Sequence, residues 1–272
     1  MVQGVLDPVS GAAMAPTIIL AGGRGSRLGS LSDEIPKPMV AIDDRPILRH
    51  ILLSYERAGR RDFIICLGYK GGVVKDYFRS LRDGALDWDM DFSGGPGEVR
   101  MLGERKNDLG RVILAETGPD AMTGARLKRV EKYVSSPTFL MTYGDGLSDV
   151  DIPGLVRFHR AHGKIGTLTA VHPPARFGEL ILDGDRVVDF GEKRRMGTGR
   201  INGGFMVFNR DVFDLLSDDP DCNFESDVLP RLSREGELMA FPHDGFWQCM
   251  DTPRDVEYLR DLCAKGEMPW LS

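Results

Sequence analysis

Residues 18–39, IILAGGRGSRLGSLSDEIPKPM, combine the residue types that handle phosphate. Ile18, Ile19, Leu20 and Ala21 are apolar, and Gly22, Gly23 and Gly25 follow at once. Glycine reaches backbone conformations closed to other residues and lets a ligand approach the main chain. Successive N–H groups in such a turn can cradle phosphate oxygens. Arg27 and Lys37 add fixed positive charge near the same place. The spacing departs from two common phosphate loops. GxxxxGK[ST] is absent, and GxGxxG fails because Leu28 stands at the third glycine position. An acid about twenty residues on, Asp43 or Asp44, keeps a ribose-binding dinucleotide site as an alternative. A purely structural glycine turn is another.

Two acids complement that loop. Asp145 lies in Tyr143-Gly144-Asp145-Gly146, after the apolar run TFLMTY. In an open α/β sheet the ligand crevice lies beyond the carboxyl ends of the strands, so Asp145 would share a rim with the glycine loop. A carboxylate facing bound phosphates implies a cation between them, and Mg²⁺ is commonly held by one or two carboxylates plus phosphate oxygens. Asp251 lies in GFWQCMDTP, where it either faces a cleft or serves, like Thr252, as a helix N-cap. Glu192 and Lys193 follow a strand-like run, and Asn202-Gly203-Gly204 precedes another. His159 and His162 have helical spacing without a third ligand, so a solvated helix face is expected.

The elements that must position these residues alternate. Apolar positions 47, 48, 51, 52 and 55 make one helical face, with Pro46 at its start and Gly59 at its end. Residues 62–68 form a short continuous apolar run, as in a buried parallel strand. Val73, Val74, Tyr77, Phe78 and Leu81 repeat the helical spacing. Residues 112–115 predict a strand, 125–134 a helix with Leu127, Val130 and Val134 inward, and 138–143 a strand. That β-α alternation argues for a parallel sheet covered by helices. Beyond it, strands are expected at 167–171, 179–182, 187–190 and 205–208, with a hairpin turn at 183–185. Helices are expected at 211–216, 226–234 and 253–264. The acid- and glycine-rich stretch 84–110 reads as a mobile excursion or an oligomer contact.

Composition narrows the class. The 272 residues, 42% hydrophobic and 28% charged, suit a soluble domain with a full core. A net charge of −6 argues against a nucleic-acid partner. Apolar runs are too short for a membrane helix. The four scattered cysteines have neither CxxC nor zinc spacing and fit core thiols in a reducing cytoplasm. Residues 1–15 read as a disordered leader before a single domain, 16–272.

Taken in order, the motifs resemble the sugar-1-phosphate nucleotidyltransferases. LAGGRGSRL matches the family's GGxG(T/S)RL, and PKPM supplies its lysine. TGPDAMTGARLKRV, TYGDG, RFGEL, the GEK of 191–193, INGGF and GFWQCMDT follow in register, from about Thr17 to the chain's end. TG…MTGARLKR and GFWQCMDT point to the cytidylyl branch. The resemblance implies a Rossmann-like, mostly parallel mixed sheet flanked by helices, a glycosyltransferase-A-like fold with a small β-hairpin region. It implies CTP and glucose 1-phosphate as substrates, Mg²⁺ as cofactor and a homo-oligomer. Leu20, Ala21, Gly22, Gly23, Gly25, Ser26, Arg27 and Lys37 would hold the nucleotide and its phosphates, with Ala121, Thr123, Arg126 and Gly144. Asp145 and Asp251 would bind the metal. Gly178, Glu192, Lys193, Asn202 and Gly203 would bind the sugar phosphate, and Arg27, Lys37 and Asp145 would be catalytic. Other nucleotide donors, and a catalytically silent nucleotide-sensing subunit, remain the alternatives.

Overall fold

The computed structural model describes residues 15–29, 31–83, 87–91, 93, 98–102, 109–173, 179–183, 186–191 and 199–272. Residues 1–14 of the expected leader, residues 174–178 with Gly178, and residues 192–198 with Glu192 and Lys193 lie outside them; Ala15, expected in the leader, is buried in the core.

The strands are β1 (Thr17–Leu20), β2 (Asp62–Leu67), β3 (Asp87–Asp91), β4 (Glu98–Leu102), β5 (Arg111–Glu116), β6 (Thr138–Tyr143), β7 (Gly146–Ser148), β8 (Gly166–Val171), β9 (Glu179–Asp183), β10 (Arg186–Gly191), β11 (Ile201–Asn209), β12 (Leu238–His243) and β13 (Trp247–Cys249). The α-helices are α1 (Leu31–Glu34), α2 (Ile47–Arg57), α3 (Gly71–Asp83), α4 (Thr123–Val130), α5 (Ile152–His162), α6 (Leu229–Arg234) and α7 (Pro253–Ala264). One seven-stranded sheet runs β12-β8-β11-β6-β1-β2-β5. β11 pairs antiparallel with both neighbours, and the other pairings are parallel. The mostly parallel mixed sheet of the sequence reading is therefore the fold.

Strand periodicity builds the core. Successive side chains on a strand point to opposite faces. Ile18 and Leu20 enter one buried cluster, and Ile19 and Ala21 the other. Phe63 and Ile65 oppose Ile64 and Cys66 in the same way. The α2 positions 47, 48, 51, 52 and 55 are all buried, as their spacing predicts. On the opposite face Leu127 and Val130 of α4 are fully buried. The chain steps from β1 to β2 on one side and returns to β6 on the other. The carboxyl ends of β1 and β6 thus flank the switch point where an open α/β sheet forms its crevice.

The structure adds elements the sequence did not predict and corrects other expectations. Within 84–110, β3 and β4 form an antiparallel ladder pairing Trp88 with Met101 and Met90 with Val99. Its period-two pattern is interleaved with aspartates, which are poor strand formers. His159 is buried rather than solvated: its ring nitrogens pair with Thr167 Oγ1 at 2.8 Å and Asn209 Oδ1 at 3.0 Å. The helix expected to 134 leaves α geometry at Val130 and ends in a 3₁₀ turn, Glu131–Tyr133. The helix expected at 211–216 is a 3₁₀ segment, Arg210–Leu215, and a π-turn, Phe224–Val228, precedes α6. The expected hairpin is present as the β9–β10 pair. β12, unexpected because Pro242 interrupts its pattern, is an edge strand, where proline is tolerated.

Candidate functional site

A cleft of about 890 Å³ opens over the switch point, between the glycine loop and the β6–β7 junction. Its lining includes Leu20, Ala21, Gly22, Gly23, Gly25, Ser26, Arg27, Lys37, Ala121, Thr123, Arg126, Gly144, Asp145, Asn202, Gly203 and Asp251. Every described residue expected at the site therefore meets in one cavity.

The glycines are fixed by close approach. Gly25 has φ +64°, and a Cβ there would stand 2.8 Å from Lys37 Cβ. A Cβ on Gly22 would stand 2.1 Å from a guanidinium nitrogen of Arg126. The 3₁₀ turn Ser26–Leu28 buries Leu28 and turns Arg27 outward, its side chain 77% exposed.

Arg126 is unlike the cation expected to contact nucleotide. It is 4% exposed, and its terminal nitrogens donate to protein oxygens. Nη1 reaches the carbonyls of Leu67 and Gly118 and Thr117 Oγ1, and Nη2 the carbonyls of Gly22 and Pro119. Burial lowers its pKa from the usual arginine value. This side chain ties the glycine loop, the end of β2 and the 117–119 loop into one rim.

Lys37 has the opposite environment. It opens a 3₁₀ turn between Pro36 and Pro38. Its ammonium donates to Asp145 Oδ2 at 2.5 Å and to Asp251 Oδ1 at 2.6 Å, with 12% of the side chain exposed. Burial, the largest single influence, would lower its pKa, but the interactions with Asp145, Cys249 and Asp251 together outweigh it, and the net shift is upward. Arg27 Nη1 donates to Asp251 Oδ2 at 2.9 Å.

The two carboxylates are brought together by a short ladder. β7 pairs antiparallel with β13, setting Cys249 opposite Gly146. The Met250 N–H donates to the Asp145 carbonyl at 2.8 Å. Thr252, not Asp251, caps α7, in a capping box with Asp255. Asp251 is released from that task and faces Lys37. Single carboxylate oxygens of Asp145 and Asp251 and the Cys249 sulfur lie within 4.8 Å of one another. Burial, then the Asp145 carboxylate, pushes the Cys249 thiol up, so it is neutral. The remaining donors are oxygens, the set a hard divalent cation such as Mg²⁺ prefers.

Further side chains brace the walls of the cleft. Tyr143 donates to Glu225 Oε1 at 2.5 Å, and Thr123 donates to Glu225 Oε2. Glu225 thereby braces the 121–123 loop against the end of β6. Trp247 Nε1 donates to the Gly203 carbonyl at 2.7 Å, supporting the far wall. Glu225 sits about 80 residues from Tyr143 and 100 from Thr123, so periodicity could not connect them. The aromatic residues of GFWQ were the only hint of Trp247.

A mostly parallel sheet with a glycine loop and paired carboxylates at its switch point is a phosphate-handling architecture. The chain belongs to the nucleotidyl transferase family, whose profile matches residues 16–257. It is 46% identical over 254 residues to the glucose-1-phosphate cytidylyltransferase of Salmonella typhi, covering 93% of this chain and 97% of that protein. It is 35% identical to the probable glucose-1-phosphate cytidylyltransferase of Bacillus subtilis, covering 93% and 98%. Among solved structures it resembles HddC from Yersinia pseudotuberculosis, with TM-score 0.67 and 25% identity over 91% of this chain and 99% of that one. Among the described residues no helix is long and apolar enough to cross a membrane.

Proposed function

We propose that this cleft transfers a cytidylyl group from CTP to α-D-glucose 1-phosphate, giving CDP-glucose and pyrophosphate. The observation that carries the reading is the Lys37 ammonium held by Asp145 and Asp251 beside the glycine loop. The choice of CTP and glucose 1-phosphate is supported by the relatives' names at 46% and 35% identity.

A phosphate oxygen of the sugar 1-phosphate attacks the α-phosphorus of CTP as the bond to pyrophosphate breaks. The nucleophile is already an anion at neutral pH, so no strong general base is needed. The barrier is repulsion between anions, and catalysis rests on positioning and charge stabilisation. Backbone N–H groups of Gly22, Gly23, Gly25 and Ser26, with Arg27, hold the triphosphate. Lys37 offsets charge developing during transfer. Leu20, Ala21, Ala121, Thr123 and Gly144 line the nucleoside side, and Arg126 holds the rim rather than the nucleotide. Asn202 and Gly203, with Gly178, Glu192 and Lys193, receive the sugar phosphate. Asp145 and Asp251 would hold Mg²⁺, which would neutralise phosphate charge. The free thiols Cys66, Cys222, Cys249 and Cys263 support a cytoplasmic setting.

Pyrophosphate release from CTP, UTP, dTTP and GTP, each with glucose 1-phosphate and Mg²⁺, tests this reading. CTP should give the highest kcat/KM. A faster reaction with another triphosphate overturns the donor assignment. CTP binding without turnover on any sugar phosphate restores the nucleotide-sensing alternative.

A further inference from the structure

The acidic wall of the cleft contains a third donor that the proposed reaction does not use. The β7–β13 register fixes Cys249 beside Asp145, across from Gly146, and two residues before Asp251. One donor atom from each of the three residues lies within 4.8 Å of the others. Two ligands of a tetrahedral ion, with bonds of about 2.0–2.3 Å, stand about 3.3–3.8 Å apart. Small side-chain movements would bring the three donors onto one ion. Its chemistry is mixed: carboxylates suit Mg²⁺, whereas a thiolate selects softer metals such as zinc.

We propose that Asp145, Cys249 and Asp251 form a mixed carboxylate–thiolate site for thiophilic divalent cations, Zn²⁺ or Cd²⁺, which exclude Mg²⁺ when bound. Binding breaks the Cys249 S–H bond: sulfur gives its electron pair to the metal and the proton passes to solvent, with no change of oxidation state. A thiophilic ion on these three residues occupies the carboxylates that Mg²⁺ would use. The resulting loss of turnover, unlike the binding itself, rests on the function proposed above.

A second cluster, Asp43, His50 and Cys263, also has its donor atoms within 4.8 Å. It is the weaker candidate, because the Trp270 indole donates to His50 Nδ1 at 3.1 Å. An indole is only a donor, so Nε2 of the neutral ring carries the proton, directed at Asp43.

The test uses Cd²⁺ alone with the full chain, without nucleotide. Affinity is read by calorimetry and ligation by the sulfur-to-cadmium charge-transfer absorption. The wild type should bind Cd²⁺ with that absorption, and excess Mg²⁺ should displace it. Cys249→Ser should lose the band and bind at least about tenfold more weakly, since altering even an outer-shell partner of a metal site costs 10–100-fold. Cys263→Ser should keep both. Asp145→Asn should retain the band at reduced affinity, an independent check should Cys249→Ser unfold. A band that survives Cys249→Ser or vanishes in Cys263→Ser overturns the site, as does Asp145→Asn affinity equal to wild type. No turnover is read, so failure of the cytidylyl assignment would leave this result standing, and the converse also holds.

Discussion

Arg126 and Lys37 are both cations, both largely buried, and both line the same cleft, yet they are held in opposite ways. Arg126 donates to the carbonyls of Gly22, Leu67, Gly118 and Pro119 and to Thr117. Neutral dipoles satisfy its hydrogen bonds, and among the described residues it forms no salt bridge that a ligand's charge would have to replace. A planar guanidinium suits that task because its donors form a rigid fork. Lys37 meets two carboxylates, Asp145 and Asp251, that a divalent cation could also take. One cation builds the rim; the other belongs to an electrostatic arrangement that ligands can rearrange. Position in the cleft therefore does not define a residue's role, and the partners already satisfying it do.

Substitutions can separate the two. Lys37→Met should cost the most, at least about 10³-fold in kcat, the upper range for one lost transition-state contact. It leaves Asp145 and Asp251 facing each other, so Mg²⁺ should raise its unfolding midpoint more than that of the wild type. Equal Mg²⁺ shifts would show that the carboxylates do not share a cation.

Arg126→Ala should act on stability first. Leaving buried carbonyls unpaired costs about 3 kcal/mol, and each kcal/mol is worth roughly 2–4 °C in a chain of this size. A thermal midpoint within about 2 °C of wild type, together with a raised KM for CTP, would move Arg126 to the ligand-contacting class.

Arg27→Ala should lower kcat by about 10²-fold, the lower end of the same range, because the exposed side chain is screened by solvent. Its unfolding curve should match the wild type. A change in sugar-phosphate KM alone would contradict a role on the triphosphate.

The smallest effect concerns pH. Burial lowers the pKa of His50, His159 and His162 below the ordinary histidine value. Between the folded and unfolded pKa values the unfolded chain binds more protons, so stability rises with pH there. The unfolding midpoint should fall as pH drops below about 6.5, and a midpoint unchanged down to pH 5 would contradict neutral buried imidazoles.

The sequence was legible where one local period or one motif carried the information. The α2 face and the parallel strands follow from spacing, and the glycine loop, Lys37, Asp145 and Asp251 from ordered motifs. The roles of Arg126 and Asp251 were harder to read because they depend on partners far along the chain. Arg126 meets the carbonyl of Gly22, and Asp251 is freed for Lys37 only because Thr252 and Asp255 cap α7. His159 was misread because helical spacing does not reveal that β8 and β11 supply Thr167 and Asn209 as its partners. β3 and β4 were missed because aspartates interrupt an otherwise regular alternation.

The central claim is that Asp145 serves the reaction and not the fold. Its most direct test is the Mg²⁺ dependence of pyrophosphate release from CTP and glucose 1-phosphate, measured for wild type and Asp145→Asn side by side. Saturable Mg²⁺ activation is expected in the wild type, with a folded variant whose rate stays low at every Mg²⁺ concentration. Wild-type-like rates in Asp145→Asn would contradict it.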